Sequence, residues 1–476
     1  MIDRRQVLGA GTVGLAAIGA GLLGGCATPA PSNHARADVL VRDLQQRTFR
    51  YFWDTTDPAT GLAPDRWPTS SFASIAAVGF ALTAYPIGVA NGWITRVEAR
   101  DRTLATLRFF ATAPQGPAAS GTAGHHGLFY HFLDMASRHR FGRTELSTID
   151  TALLMGGVLF AQSWFDREDA AEAEIRRLAE KLYCAVEWTW ITPRKPFLSM
   201  GWHPESGFIA SDWNIYNEGL LLYVLALGSP THALPPETWT AWTDRFDAQW
   251  GNAHGGVRGG EPHLQFAPLF VHQYSHCFID FRGIRDAYMA RRGIDYFENS
   301  RRAVRAQRDY AIANPGGWAG YDADMWGLTA CDGPGDFTRT IAGRPREFFS
   351  YSARGPGDRD DGTIAPTAGA ASIAFEPALA TRAIHAMHAR YGRGIYTRYG
   401  FLDSFNPTLT DAAPLKHGRV VPGIGWVDGD YLGIDQGPIL IGIENQRSGL
   451  VWQTLRRNPH IRRGLERAGF TGGWLA

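Results

Sequence analysis

An all-α fold, an (α/α)6 toroid of paired helices, is what this sequence predicts. Apolar segments of helical length alternate with amphipathic ones, about twelve in all, and most come in pairs. Between the pairs run long Gly- and Pro-rich stretches, and these carry the acidic and aromatic residues. No fixed-period repeat is present, which argues against an open solenoid. Buried helices alternating with amphipathic ones then close into an inner ring inside an outer ring, with the loops at one rim lining a central cleft.

Taken in order, residues 38–53 read as a helix ended by Asp54-Thr55-Thr56-Asp57-Pro58. Residues 71–91 are an apolar helix closed by Gly92, and 94–111 are its amphipathic, Arg-rich partner. The loop–helix–helix unit recurs with 151–165 and 168–189, then with 214–227 and 236–249. Paired helices over 276–291 and 296–313 follow, then a loop-rich region over 314–369. Segments 370–390, 439–445 and 448–456 complete the set.

One junction stands out. Trp213-Asn214-Ile215-Tyr216-Asn217-Glu218 runs into an apolar helix for which Asn214 is the expected N-cap. A carboxylate held among Tyr, Trp and Leu is penalised in its charged form, which raises its pKa and suits a general acid. The same position also suits a carboxylate that only complements the helix dipole. Other acidic or aromatic clusters fall at similar junctions: Asp54, Glu145 with Asp150, Trp202, Trp326, Asp361, Asp403, Trp426 and Asp435.

Residues 1–25 read as an export signal, 26–37 as a flexible tether and 38–476 as a single catalytic-size domain. Arg4-Arg5 before an apolar run resembles a twin-arginine signal, and Leu23-Gly24-Gly25-Cys26 resembles a lipobox. Cys26 is thus the expected lipidation site. The expected location is the periplasm or cell envelope, with the lipid as the membrane contact.

Formal net charge is +1, and without residues 1–25 basic and acidic residues balance at 45 each. That balance excludes a nucleic-acid binder working through charge. With 16 Trp, the chain is rich in flat apolar faces on which sugar rings stack.

Cys184, Cys277 and Cys331 are odd in number and widely spaced, so free thiols are expected, with neither a disulfide framework nor zinc spacing. His272 and His276 lie four apart but lack the Glu of a zinc helix. Asp322, Asp324 and Asp332 do not match a calcium loop. A Gly-x-Ser-x-Gly elbow is absent, and the Gly-rich stretches follow no strand of a βαβ unit. No cofactor and no metal are expected, and the chain is expected to act as a monomer.

Seven ordered motifs resemble the bacterial glucoamylase-like family, which includes β-1,2-glucanases and a domain of cyclic β-1,2-glucan synthases. They lie in residues 50–96, in Glu145-Leu146-Ser147-Thr148-Ile149-Asp150, and in residues 268–283 with His276, Asp280 and Arg282. The others begin at Trp326, Asp361, Tyr399 and Tyr431.

The resemblance implies an (α/α)6 barrel and an inverting glycoside hydrolase acting on β-1,2-glucan, releasing sophorose or sophoro-oligosaccharides. It implies Glu218 as general acid and Asp403 as general base, with Asp435 the rival base. It also implies proton transfer through a substrate hydroxyl or a water chain. Trp53, Trp202, Trp213, Trp326 and Trp426 would stack on glucose rings. Asp54, Glu145, Asp150, His276, Asp280, Arg282 and Asp361 would hold hydroxyls or neighbouring side chains, Asp280 and Arg282 reading equally well as a buried ion pair. The alternative of another class is a glycan-binding or envelope-assembly protein that keeps the fold without catalysis.

Overall fold

The computed structural model describes residues 38–476. Cys26 and the rest of the export segment lie outside the described residues. Fifteen α-helices form among the described residues. They are α1 (Val39–Thr55), α2 (Ile75–Ala90), α3 (Arg96–Thr112), α4 (Thr148–Trp164) and α5 (Ala170–Cys184). Then come α6 (Leu220–Gly228), α7 (Glu237–Thr243), α8 (Tyr274–Phe278), α9 (Ala287–Arg292) and α10 (Tyr296–Ala313). The last are α11 (Pro366–Ala371), α12 (Pro377–Ile395), α13 (Gly433–Arg447), α14 (Leu450–Leu455) and α15 (Pro459–Arg467).

The inner ring runs α2, α4, α6, α8, α11, α13 and back to α2. These helices are apolar all round because every side faces protein. Each residue from Ile75 to Gly88 in α2 is buried, and so is each from Leu220 to Gly228 in α6. Close approach of α2 to α4 depends on glycine. A Cβ on Gly79 would sit 2.3 Å from Leu153 O, and one on Gly157 would sit 2.1 Å from Gly79 O. The amphipathic α1, α3, α5, α10, α12 and α15 cover the ring from outside, α15 packing on α6.

All inner helices start at the same rim, and short antiparallel strands lace their entry loops together. Arg66–Trp67 pairs with Tyr431–Leu432, joining the loop before α2 to the start of α13. A five-stranded sheet, in the order Gly124–His125, Leu128–Tyr130, Leu146–Ser147, Gly201–His203, Gly207–Phe208, runs into α4 at Ser147, whose side chain caps that helix.

Helix boundaries differ from expectation in several places, among them 236–249, where α7 stops at Thr243 and a 3-10 turn follows, and 439–445, where α13 already starts at Gly433. α6 starts at Leu220, and Asn214 is not its cap. Trp213 N donates to Leu198 O and Tyr216 N to Gln249 Oε1, so tertiary partners hold this backbone in a loop. The segment 370–390 is two elements, α11 and α12, parted at Pro377. The segment 276–291 is likewise split into α8 and α9. Cys184, Cys277 and Cys331 are free thiols. Among the described residues, no helix is long and apolar enough to cross a membrane.

Four of the buried histidines are His254, His263, His272 and His276. Burial pushes His254 and His276 down to about 3, and His263 and His272 also fall. Each is therefore neutral in the fold but titrates near 6.5 in the unfolded chain. The stability they contribute is complete above pH 6.5 and is lost as pH falls toward 3. Buried carboxyls with raised pKa oppose this slope, so a single site must be isolated. Relative to wild type, His276→Leu is expected to gain about 1.4 kcal/mol per pH unit as pH falls from 6.5 to 4.5. Urea unfolding at several pH values checks this, and a pH-independent difference would refute it.

Candidate active site

Glu218 sits two residues before α6, with 8% of its surface exposed. Its carbonyl accepts from Ser275 Oγ, which also accepts from Leu221 N, tying the starts of α6 and α8 together. α6 and α13 are the third and sixth members of the inner ring, so their entry loops face each other across the axis.

The α13 side holds a dense carboxyl cluster. Asp403 and Asp435 hydrogen-bond to each other through their carboxyl groups. Asp332, Asp403 and Asp428 bring carboxylate oxygens within 4.8 Å of one another, all three buried. Asp403 Oδ2 accepts from Asp332 N at 2.7 Å, and Asp403 N donates to Asp430 O at 2.9 Å. Burial first, then Asp435, Asp332 and Asp428, holds the Asp403 carboxyl well above the usual range. Asp428 is raised likewise, by burial and by Asp332 and Asp430.

Arg66 is the counter-charge to this cluster. It donates to Asp332 Oδ2 at 2.6 Å and lies 3.7 Å from Asp430 and 3.6 Å from Asp65. Burial works against its charge, but Asp332 and Asp65 more than offset that and hold the guanidinium charged. So many carboxyls around one arginine must share protons, and the contact between Asp403 and Asp435 is where one proton can bridge two oxygens.

A second cluster lies at the start of α4. His131 Nδ1 is 2.8 Å from Glu145 Oε1, and His131 Nε2 is 3.5 Å from Asp150 Oδ1. Ser147 Oγ donates a short bond to Asp150 Oδ2. His131 therefore bridges two buried carboxylates at the rim, a set of oxygens and imidazole suited to sugar hydroxyls. In each of the two clusters the ligand-type atoms are close enough to hold a cation, oxygen-only around Asp403 and mixed around His131. Arg66 offsets part of the negative charge of the Asp403 cluster.

Several expected site residues lie elsewhere. Trp213 is wholly buried, its Nε1 donating to Thr148 Oγ1, so it offers no stacking face. Trp426 is wholly buried and donates to His417 O, and Trp326 is buried beside α11. Trp53 is stacked on Phe49 between α1 and α3, with the Arg102 guanidinium 4.4 Å over its ring. Trp213, Trp326 and Trp426 serve packing, and the indole N–H of Trp213 and of Trp426 finds a partner in the fold.

His276 lies in the core between α8 and α10, with Ser300 Oγ 3.1 Å from Nε2 and phenylalanine rings around it. His272 has its own partner, Tyr216 OH, so the two histidines do not converge on a metal. Asp280 follows the end of α8, at the barrel end opposite the rim. It is a buried carboxylate paired with Arg282 at 2.8 Å and with Arg456. Asp361 is locked by Arg354 and the backbone of Phe349 and Thr363. His276, Asp280 and Asp361 are buried and taken up by the fold, while Arg282 is exposed but lies with Asp280 at the end away from the rim.

Asp54 lies on α1 with Arg398 at 3.3 Å and Tyr399 OH at 3.4 Å. Trp202 projects from the sheet face opposite to that of Phe129 and Ser147, by register with Leu146 and Phe208. The structure thus brings Asp403 and Asp435 together, and Glu145 and Asp150 together, with Glu218 across the ring from the former. It adds Arg66, His131, Asp428 and Asp430, which the sequence reading did not single out, and Asp332, which it weighed only as a calcium ligand. Asp65-Arg66 and Asp428-Gly429-Asp430 were visible as short polar runs, but only the strand pair 66–67 with 431–432 unites them.

Comparison with known proteins agrees with this architecture. The family described as putative glucoamylase matches over residues 210–459. An exo β-1,2-glucooligosaccharide sophorohydrolase acting at the non-reducing end, from Parabacteroides distasonis, is 28% identical over 458 residues. That match covers 90% of this chain but only 58% of the relative's own length. The endo-β-1,2-glucanase structure from Chitinophaga pinensis, with sophorotriose and glucose, superposes with a TM-score of 0.74 at 26% identity, covering 93% of this chain and all of that one. The Bacteroides uniformis structure described in the same words as the family has a TM-score of 0.77 at 29% identity, covering 94% of this chain and all of that one. An endo-β-1,2-glucanase from Talaromyces funiculosus, at 14% identity and a TM-score of 0.59, shares the fold. The chain belongs to the glucoamylase-like family, in which its similar members are glycoside hydrolases acting on β-1,2-glucan.

Proposed function

We propose that this chain is an inverting glycoside hydrolase of β-1,2-glucan that releases sophorose or sophoro-oligosaccharides. The observation that carries the reading is the buried Asp403–Asp435 carboxyl pair, set across the inner ring from Glu218. Inversion needs one carboxylic acid and one carboxylate on opposite faces of the sugar. Glu218 gives its proton to the glycosidic oxygen as the bond to C1 breaks. Asp403 takes a proton from the water that attacks C1 from the other face, and Asp435 shares that proton. His131, Glu145 and Asp150 bind hydroxyls at the rim.

Product analysis on a panel of β-glucans tests this. Sophorose or short sophoro-oligosaccharides are expected from β-1,2-glucan, and the first product seen by NMR is expected in the α-anomeric form. Cleavage confined to another linkage overturns the substrate. A first-formed β-anomer overturns inversion. Tight binding without turnover favours a glycan-binding protein on the same fold.

A further inference from the structure

We infer that the outer face of the rim sheet is a second glucan-binding surface, separate from the carboxyl clusters and resting on the proposed β-glucan substrate. Trp190, Trp202, Phe208, His125 and His126 form one continuous group of partly buried rings. His126 stacks on Trp190 with centroids 4.2 Å apart and planes 28° from parallel. His125 lies 5.3 Å from Trp202, and Trp190 lies 4.8 Å from Phe208. Trp202 and Phe208 are directly paired across two strands, so their rings share the sheet's outer face. All five side chains are partly open to solvent. A cluster of aromatic faces left exposed is unusual for a surface that only packs against itself.

Chemistry beside the rings selects the ligand. At the tip of the hairpin that carries His125 and His126, a cavity of about 520 Å³ opens on the other side of the sheet, floored by Phe110, Phe129 and Leu182. Gln115, Lys181 and Glu187 stand around it. That volume is large enough for a short run of sugar rings. Burial and the neighbouring His126 lower the His125 pKa, so its ring is neutral at neutral pH. His126 Nδ1 is held 2.8 Å from Glu187. Apolar ring faces, a neutral imidazole and a few separated polar groups match the alternating faces and edges of glucose rings. They do not match a phosphate or a polyanion, which would need convergent positive charge.

Continuity with the rim makes a glucan chain the occupant. The strand Leu146–Ser147 carries Leu146 beside Trp202 on the outer face, and its neighbours Glu145 and Asp150 contact His131. One sheet thus carries the His131 cluster at the ends of its central strand and a stacking surface on its face. A long chain reaching the cleft can lie across both, which raises its effective concentration at the cleft without touching the chemistry.

The test uses the full chain carrying Glu218→Gln, so that polymer survives, in affinity electrophoresis with linear β-1,2-glucan. Trp190→Ala and His126→Ala are each added to it, and also made in wild type for kinetics. Each is expected to weaken polymer retention about five-fold or more. In wild type each should raise KM for polymer several-fold, with kcat and the hydrolysis of sophorotetraose unchanged. His126 is 28% exposed at its side chain, so its variant keeps the test open if Trp190→Ala lowers the melting temperature. Unchanged retention and unchanged polymer KM in both variants overturn the surface. Equal loss on polymer and tetraose also overturns it, assigning these rings to the cleft. If the wild type cleaves no β-1,2-glucan yet binds another glucan through Trp190 and His126, the surface stands and the proposed substrate falls.

Discussion

Glu218→Gln and Asp403→Asn are each expected to lower kcat on β-1,2-glucan by about 10²–10⁴-fold, with KM little changed. Both replacements keep size and hydrogen bonding but remove the proton or the charge that the chemistry uses. Asp435→Asn separates the roles of the carboxyl pair. Asp403 is raised by burial first and by Asp435 next. Removing the Asp435 charge lowers the Asp403 pKa, and a base must be deprotonated to act. The acid limb of the pH–rate profile is therefore expected to move to lower pH in Asp435→Asn, with residual kcat well above that of Asp403→Asn. If Asp435→Asn is instead as inactive as Asp403→Asn, and Asp403→Asn keeps activity with a shifted profile, Asp435 is the base. If wild-type turnover survives in both Glu218→Gln and Asp403→Asn, the site lies elsewhere.

How much of this was legible before the structure depended on whether a signal was local. α10 was read at 296–313 and forms over Tyr296–Ala313, because Asp295 caps one end and Asn314 takes a left-handed turn at the other. The inner helices were legible from runs apolar on every side, which only a ring wrapped in a second ring can bury. α6 was misplaced at its start because Leu198 O and Gln249 Oε1, distant in sequence, claim the backbone of 213–216. The tryptophans were over-read for a related reason. Nearness in sequence to an acidic residue says nothing about which side of a loop an indole faces. Thr148 Oγ1 and His417 O, the partners that bury Trp213 and Trp426, are supplied by other segments. Arg66, Asp428 and Asp430 were missed because a two-residue strand pair has no periodicity to detect. Glu218 was singled out as a carboxylate just before an apolar helix, Asp435 as one opening an inner helix, and Asp403 by the family motif that begins at Tyr399.

Arg354→Met is expected to be the most destabilising single change on the rim, at about 3–5 kcal/mol. Arg354 has no exposed surface. Nε and Nη2 form a fork on Asp361 at 2.8 and 2.9 Å. Nη1 donates to Cys331 O at 2.8 Å, and Nη2 to Phe349 O and Ser350 O at 2.9 and 3.0 Å. Removing the guanidinium strands three carbonyls and leaves Asp361 charged in a closed interior, the costlier half of breaking a buried pair. Replacing both partners, Arg354→Met with Asp361→Leu, removes the uncompensated charge and is expected to recover part of the loss, though the carbonyls stay unpaired. Urea unfolding of the two single variants and the double variant checks this, and strictly additive losses would refute the coupling. The pair also reaches the chemistry. Arg354 holds the carbonyl of Cys331, and the next residue, Asp332, donates its N–H to Asp403 Oδ2. Arg354→Met protein that still folds should therefore lose kcat as well as stability, because the carboxyl it does not touch is aimed by the backbone it does.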